Sequence, residues 1–249
     1  MGDVHGAYKA LMQCLEKSKF DKEYDQLIVL GDICDGYDEV YEVVEELMTI
    51  KNLVYIIGNH DLWFIKWMES GIHPDGWRQG GFGTMKSYCK HLNKFYTPKN
   101  GAHITTMEPD DIPQSHKDFF NKGKYYHVDA HNNVFVHGGF NRHVPISEQS
   151  RNILMWDRDL FSAALSYEAM SRNPMNTAVF KNKDGFNEIC IGHTCTQCWE
   201  NDYPMKAANV YNLDTGAGWQ GKLSIMDIDT KQIWQSELNS INYPNQQGR

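Results

Sequence analysis

Leu11, Met12, Leu15 and Phe20 recur at near-helical spacing and predict a helix over 7–19, and the β-branched and leucine run that follows predicts a strand over 26–30 ending at Gly31. The same pattern returns as a helix over 40–48, with acidic residues on its outer face, and a strand over 53–57 that stops at Gly58. Further strands are predicted over 125–128, 134–136, 188–191, 208–213, 223–228 and 232–235. Strand–helix alternation in the first third calls for parallel βαβ units, and the close strands after Ala208 call for hairpins in a second sheet. The expected fold is α/β, with two sheets in one sandwich. Between 61 and 124 the alternation gives way to a stretch rich in Trp, Gly, Lys and Asn, with helices expected over 62–70, 84–95 and 114–120. It reads as a cap inserted at about 62–124 into a single domain covering 1–249. In it, Trp63, Phe64, Trp67 and Met68 are expected to pack cap against core. No repeat, low-complexity tract or Gly/Ser linker marks a flexible boundary, and the polar last dozen residues read as a loose tail.

Composition narrows the function classes. A chain of 249 residues that is 41% hydrophobic and 22% charged can bury a sizeable core, and no apolar run reaches the roughly 18 residues that a membrane span needs. The 24 Lys+Arg set against 32 Asp+Glu leave a net charge of −8, so the surface as a whole repels nucleic acid and anionic lipid. Any phosphate must be held by a local cation. Six cysteines without a secretory pattern point to free thiols and the cytoplasm. Cys190, Cys195 and Cys198 have a C-x4-C-x2-C spacing that metal thiolate sites also use, with unlinked thiols as the favoured reading.

The chemistry lies in loops that share one vocabulary. Gly2-Asp3-Val4-His5-Gly6, Gly31-Asp32-Ile33-Cys34-Asp35-Gly36, Gly58-Asn59-His60-Asp61, Val136-His137-Gly138-Gly139 and Ile191-Gly192-His193-Thr194 all place Asp, Asn or His beside glycine at predicted loops. In an α/β sheet, loops at the carboxyl ends of strands converge on one crevice. Oxygen and imidazole donors without thiolate suit manganese, iron or zinc in an open site, and one carboxylate between two clusters can bridge two ions. Asp3, His5 and Asp32 are the candidates for one ion, and Asp32, Asn59, His137 and His193 for the other.

These blocks, in this order, resemble the calcineurin-like metallophosphoesterase superfamily, and within it the PPP-type serine/threonine phosphatases and the symmetrical diadenosine tetraphosphatases. Asp214-Thr215-Gly216-Ala217 before a strand extends the likeness over nearly the whole chain. The resemblance implies an αββα sandwich and two divalent ions, manganese first with iron or zinc as competitors, that generate a hydroxide nucleophile. It implies His60 as general acid, hydrogen-bonded by Asp35, and hydrolysis of phosphoserine, phosphothreonine or small phosphate esters, with symmetrical dinucleoside tetraphosphates as the alternative substrate. No nucleic acid or membrane partner is expected. A non-catalytic scaffold is the competitor from another class; retention of His60 and every ligand type weighs against it.

Departures from the pattern matter. Asp35-Gly36-Tyr37 lacks the arginine that this loop carries in the protein phosphatases; Met155-Trp156-Asp157-Arg158 resembles the segment that carries the family's other phosphate-binding arginine, which implies Arg158 as a phosphate ligand with Asn59 beside it, and Arg142 and, in the cap, Arg78 as weaker candidates. Asp61 stands where glutamate is usual. Trp77 to Thr84 resembles a stretch of bacterial and phage-type phosphatases and of diadenosine tetraphosphatases and is expected to line the entrance. The remaining histidines, His73, His91, His103, His116, His127, His131 and His143, are expected on the surface or in the cap. Only Met1 precedes the first loop, so the strand that leads into it in this superfamily is expected to be missing or truncated.

Overall fold

The first helix, α1 (Tyr8–Ser18), turns Ala10, Leu11, Cys14 and Leu15 inward, and it stops where Lys19 takes a left-handed conformation, φ 57°. From there the computed structural model, which describes residues 1–99, 102–172 and 179–249, runs through a parallel βαβ unit: β1 (Gln26–Val29), α2 (Val40–Met48) and β2 (Asn52–Tyr55). The α2 stripe Val40, Val43, Val44 and Leu47 is buried at the spacing of one helical face. Next come α3 (Asn59–Ser70), α4 (Gly81–His91), the hairpin β3 (Tyr96–Lys99) and β4 (Ala102–Thr105), and α5 (Gln114–Asn121). Strands β5 (Tyr126–Val128) and β6 (Val134–Val136), helices α6 (Arg151–Trp156) and α7 (Asp159–Ser171), and strands β7 (Ile189–Ile191), β8 (Met205–Ala207) and β9 (Val210–Asn212) follow. The chain closes with hairpin β10 (Ser224–Met226) and β11 (Ile233–Gln235) and the short α8 (Asn239–Asn242).

Hydrogen bonding builds two layers. One is the sheet β5-β6-β7-β9-β8, in which β6, β7 and β9 run parallel. The other joins β2-β1 to β10-β11 through the first residues: the Met1 amine donates to the Ile28 carbonyl (2.8 Å), the Leu30 amide to the Met1 carbonyl (3.0 Å), and the Gly2 amide to the Ser224 carbonyl (3.0 Å). No strand precedes Asp3 among the described residues; Met1 and Gly2 make the bridging bonds themselves. Leu30, Phe135, Cys190, Tyr211 and Leu213 form the apolar seam between the layers, beside a cavity of about 480 Å³ lined by Met1, Ile28, Phe135, Cys190 and Met226. Helices α1 to α5 cover the first layer over a large core, and α6 and α7 cover the second over Val136, Phe140, Leu154, Phe161 and Ile191.

Segment 62–124 does not stand apart: Phe64, Trp67, Trp77, Met85, Tyr88 and Phe120 share one core with Leu11, Val29 and Val44. Phe64 is fully buried among the rings of Trp67, Trp77, Tyr88 and Phe120, with centroids 4.9–6.1 Å away. Phe64→Ala is therefore expected to cost about 3–5 kcal/mol of folding free energy, read as a lower denaturant midpoint at unchanged slope.

Two readings of the sequence change. The strand expected over 208–213 shortens to β9, and Ala208 (φ 51°) lies in the turn that joins it to the additional strand β8. Residues 238–249 are not a loose tail: α8 is followed by a strap whose Tyr243 is 3% exposed and stacks on Tyr37 with centroids 4.3 Å apart. No helix among the described residues is long and apolar enough to cross a membrane.

Candidate active site

The loops after β1, β2, β6 and β7 and the first loop meet at one edge of the sandwich. Asp3, His5, Asp32, Asn59, His137 and His193 are all 2% exposed or less. The ligand-type atoms of Asp3, His5 and Asp32 lie within 4.8 Å of one another, and so do those of Asp32, His137 and His193, so Asp32 belongs to both groups. Among the described residues no cysteine joins such a group; Cys190 and Cys195 are buried thiols and Cys198 is exposed.

Local backbone conformation aims these side chains. His5 (φ 49°), Asp32 (φ 48°), Asp35 (φ 70°) and His193 (φ 67°) all occupy the left-handed region, which costs a non-glycine residue free energy and concentrates at functional sites. Glycine is required where the loops touch. A Cβ on Gly58 would sit 2.0 Å from Asp32 Oδ1, and one on Gly192 would sit 2.1 Å from Asp3 Oδ1. Helix α3 begins at Asn59, three residues earlier than the hydrophobic pattern reaches, which puts Asn59 and His60 in its first turn. Asp61 fastens the 31–36 loop to its own, accepting from the Ile33 amide (2.9 Å), the Cys34 amide (3.0 Å) and the Gly58 amide (3.0 Å).

Backbone carbonyls set the imidazole tautomers. His5 Nδ1 donates to the Cys34 carbonyl (2.9 Å) and His137 Nδ1 to the Leu30 carbonyl (2.7 Å), which turns both Nε2 atoms into the cluster. His137 Nε2 lies 3.3 Å from Asp32 Oδ2 and 3.1 Å from Asn59 Oδ1. Asp3 accepts the His193 amide (3.0 Å), and Asp32 Oδ1 accepts the His60 amide (2.9 Å). His5 Nε2, Asp32 Oδ2, both His193 ring nitrogens and Asp214 Oδ2 are buried without a hydrogen-bond partner. Buried polar atoms left unpaired cost free energy, and a cluster of them built from oxygen and imidazole donors fits metal cations.

Electrostatics point the same way. Burial, reinforced by Asp214, pushes the Asp3 carboxyl well above its ordinary value, while His137, His60 and His5 overcome burial and hold Asp32 well below its own. Burial and the charge of His137 drive His193 down to about 2, whereas Asp32 and Asp3 outweigh burial and lift His137 to about 9. Several carboxylates compete for protons in one dry space, the situation a divalent cation relieves.

Beside the cluster, Asp35 holds His60: Asp35 Oδ2 is 2.7 Å from His60 Nδ1. Its other oxygen accepts from Trp77 Nε1 (2.8 Å) and Thr84 Oγ1 (2.7 Å), and Thr84 Oγ1 in turn accepts the Asp35 amide (2.7 Å). Trp77 and Thr84 thus brace the Asp35–His60 pair more directly than their expected place at an entrance implied. Trp63 meets the His60 ring edge-on at 4.6 Å, and Trp156 meets His193 at 5.5 Å.

The arginines divide. Arg158 donates to Thr194 Oγ1 (2.7 Å), next to His193, which brings its guanidinium to the site. Arg142 instead donates to the Lys181 carbonyl (2.9 Å) and covers the Phe180 ring at 4.7 Å. Arg249, given no role by the sequence pattern, places NH1 2.6 Å from His60 Nε2 and 3.9 Å from Asp32 Oδ2. Asp214, 2% exposed and facing Asp3, is another residue that the motifs marked without assigning work. Of the histidines expected on the surface or in the cap, His116 is fully buried between Tyr88 Oη (2.8 Å) and Glu45 (2.6 Å); the His103 side chain lies outside the described ones.

Comparison with known proteins agrees with this geometry. The family model described as calcineurin-like phosphoesterase matches residues 1–197. The symmetrical bis(5'-nucleosyl)-tetraphosphatase of Coxiella burnetii is 34% identical over 65 residues, 26% of this chain and 22% of the relative, so the match spans about a fifth of that protein's length. A metallophosphoesterase from Sphaerobacter thermophilus superposes with a TM-score of 0.56 at 17% identity, over 97% of this chain and 89% of that one. A protein serine/threonine phosphatase from Saccharomyces cerevisiae does so with a TM-score of 0.54 at 13% identity, over 95% and 78%. At these identities the structures share the fold alone.

Proposed function

Because the chain belongs to the calcineurin-like phosphoesterase family, we propose that it hydrolyses phosphate monoesters, phosphoserine and phosphothreonine or small esters, at the cluster built on Asp32. The observation that carries this reading is the pair of buried ligand groups sharing Asp32, with partnerless atoms on His5, Asp32 and His193. Asp3, His5 and Asp32 would hold one divalent ion, and Asp32, Asn59, His137 and His193 the second, with manganese the first choice and iron or zinc the competitors. Such ions supply a nucleophile at neutral pH and charge neutralisation for phosphoryl oxygens.

The chain's own groups do the rest. Asp35 keeps the Nδ1–H of His60 engaged, so Nε2 is the ring atom facing the cluster, placed to give a proton to the leaving oxygen. Arg158, steadied on Thr194, offers a cation to the phosphoryl oxygens, and with Arg142 engaged by Lys181 and Phe180 the phosphate falls to Arg158 and Asn59. In this reading 1–249 act as one unit, with 62–124 as the cap that braces Asp35 through Trp77 and Thr84. The free thiols and the acidic balance favour a cytoplasmic protein with a phosphorylated protein or small phosphate ester as substrate.

A second reading, symmetrical dinucleoside tetraphosphate hydrolysis, is favoured by the name of the Coxiella relative. Metal analysis of the purified protein and turnover of a phosphopeptide, p-nitrophenyl phosphate and diadenosine tetraphosphate with added manganese separate the two. The monoester reading expects bound metal and turnover of the first two substrates. Strong preference for the dinucleotide replaces it with the second reading, and absence of metal and of all turnover sinks both.

A further inference from the structure

We propose that Arg249 is a substrate-binding residue whose guanidinium takes the phosphoryl group together with Arg158. The inference rests on the phosphoesterase reading and deepens it.

The strap that delivers Arg249 is fixed at several points. Tyr243 stacks on Tyr37, accepts the Lys9 amide (2.9 Å) and hydrogen-bonds Glu39. Gln246 donates to Asp38 Oδ1 (2.7 Å), and the Arg249 amide donates to the Gly218 carbonyl (2.9 Å). The guanidinium lies over the Trp219 ring at 5.4 Å, and the start of the side chain passes Gly80 so closely that a Cβ there would meet Arg249 Cβ at 2.6 Å. The Gly80 loop, the 36–39 loop and the 216–219 loop therefore all pack against the strap that carries this side chain.

What the guanidinium meets is incomplete. Its side chain is only 13% exposed, its nearest carboxylate oxygen is 3.9 Å away, and Nε is buried with no acceptor. Arginine has donors only, so its 2.6 Å contact with His60 Nε2 makes that nitrogen the acceptor and leaves Nδ1 as donor to Asp35. A buried cation with an unsatisfied donor is costly unless an anion completes it. Phosphate oxygens match the forked donors of a guanidinium, and a group placed against both His60 Nε2 and Asp32 Oδ2 lies where the leaving oxygen and the phosphoryl group must meet. On binding, the NH1 donor passes from His60 Nε2 to a phosphoryl oxygen, which frees Nε2 to take up a proton from water and pass it to the leaving oxygen.

The test uses the manganese-loaded protein, with inorganic phosphate binding read by calorimetry and p-nitrophenyl phosphate kinetics alongside. Arg249→Ala is expected to weaken phosphate binding and raise KM by about tenfold or more, with the smaller change in kcat and an unchanged melting temperature. Arg249→Lys should recover part of the loss, and Gln246→Ala, which loosens the strap, should move phosphate affinity in the same direction by less. Phosphate affinity equal to the parent's in Arg249→Ala, or turnover that rises as a plug is withdrawn, overturns the proposal while leaving the phosphoesterase reading intact. A parent protein that neither binds phosphate nor hydrolyses the ester overturns both.

Discussion

Replacing Asp32 with asparagine should lower the metal content of the purified protein below half of the parent value and reduce kcat by a factor on the order of 10³ or more. Asp32 is the residue common to both ligand groups, and its Oδ2 lies 3.6 Å from His5 Nε2 and 3.3 Å from His137 Nε2. The amide keeps the size and the acceptor that receives the His60 amide, so the loop geometry persists while the charge disappears. That charge, with Asp3, outweighs burial and lifts His137 to about 9. Without it the cavity keeps imidazoles and loses the anion that a pair of cations would share. Elemental analysis and steady-state kinetics on one preparation check this, with far-UV circular dichroism as the folding control. Full metal content with kcat within tenfold of the parent would remove Asp32 from the centre.

The residues of the candidate centre are legible because each sits in a short motif in which glycine, a potential ligand and a strand end are neighbours in sequence. Asp3, His5, Asp32, Asn59, His137 and His193 are brought to one edge by the ordinary convergence of strand-end loops. The βαβ unit was legible for a similar reason, since the periodicity of α2 and the runs of β1 and β2 are local signals. Arg249 carried no such signal. Its position depends on Tyr243 stacking on Tyr37 and Gln246 reaching Asp38, contacts between residues about two hundred positions apart that periodicity does not encode. Trp77 and Thr84 stand in a recognisable motif, yet their bonds to Asp35 follow from how segment 62–124 folds back over the 35–37 loop, where the Gly36 amide donates to the Gly80 carbonyl (2.9 Å). The left-handed backbone at His5, Asp32, Asp35 and His193 was equally invisible, because these residue types do not announce it as glycine does. The bridging role of Met1 and Gly2 depends on Ser224 and Leu30, partners that no local reading supplies.

His60→Asn should cut kcat toward an alkyl phosphate by about 10²–10⁴ while metal content stays at the parent level. His60 faces the cluster with Nε2 and is fixed through Nδ1 to Asp35, which Trp77 and Thr84 hold in turn. Asparagine at this position keeps a polar side chain in the first turn of α3 and leaves the backbone amide that donates to Asp32 in place. The loss therefore isolates proton donation from ligand geometry. Leaving groups separate the two further: p-nitrophenolate departs as a stable anion without a proton, so the same variant should lose far less with p-nitrophenyl phosphate than with an alkyl ester. Asp35→Asn should show the same contrast in weaker form, since it unfixes the imidazole without removing it. A loss equal for both leaving groups would assign His60 to phosphate binding or to the loop's shape, and an undiminished kcat for the alkyl ester would place the proton donor elsewhere.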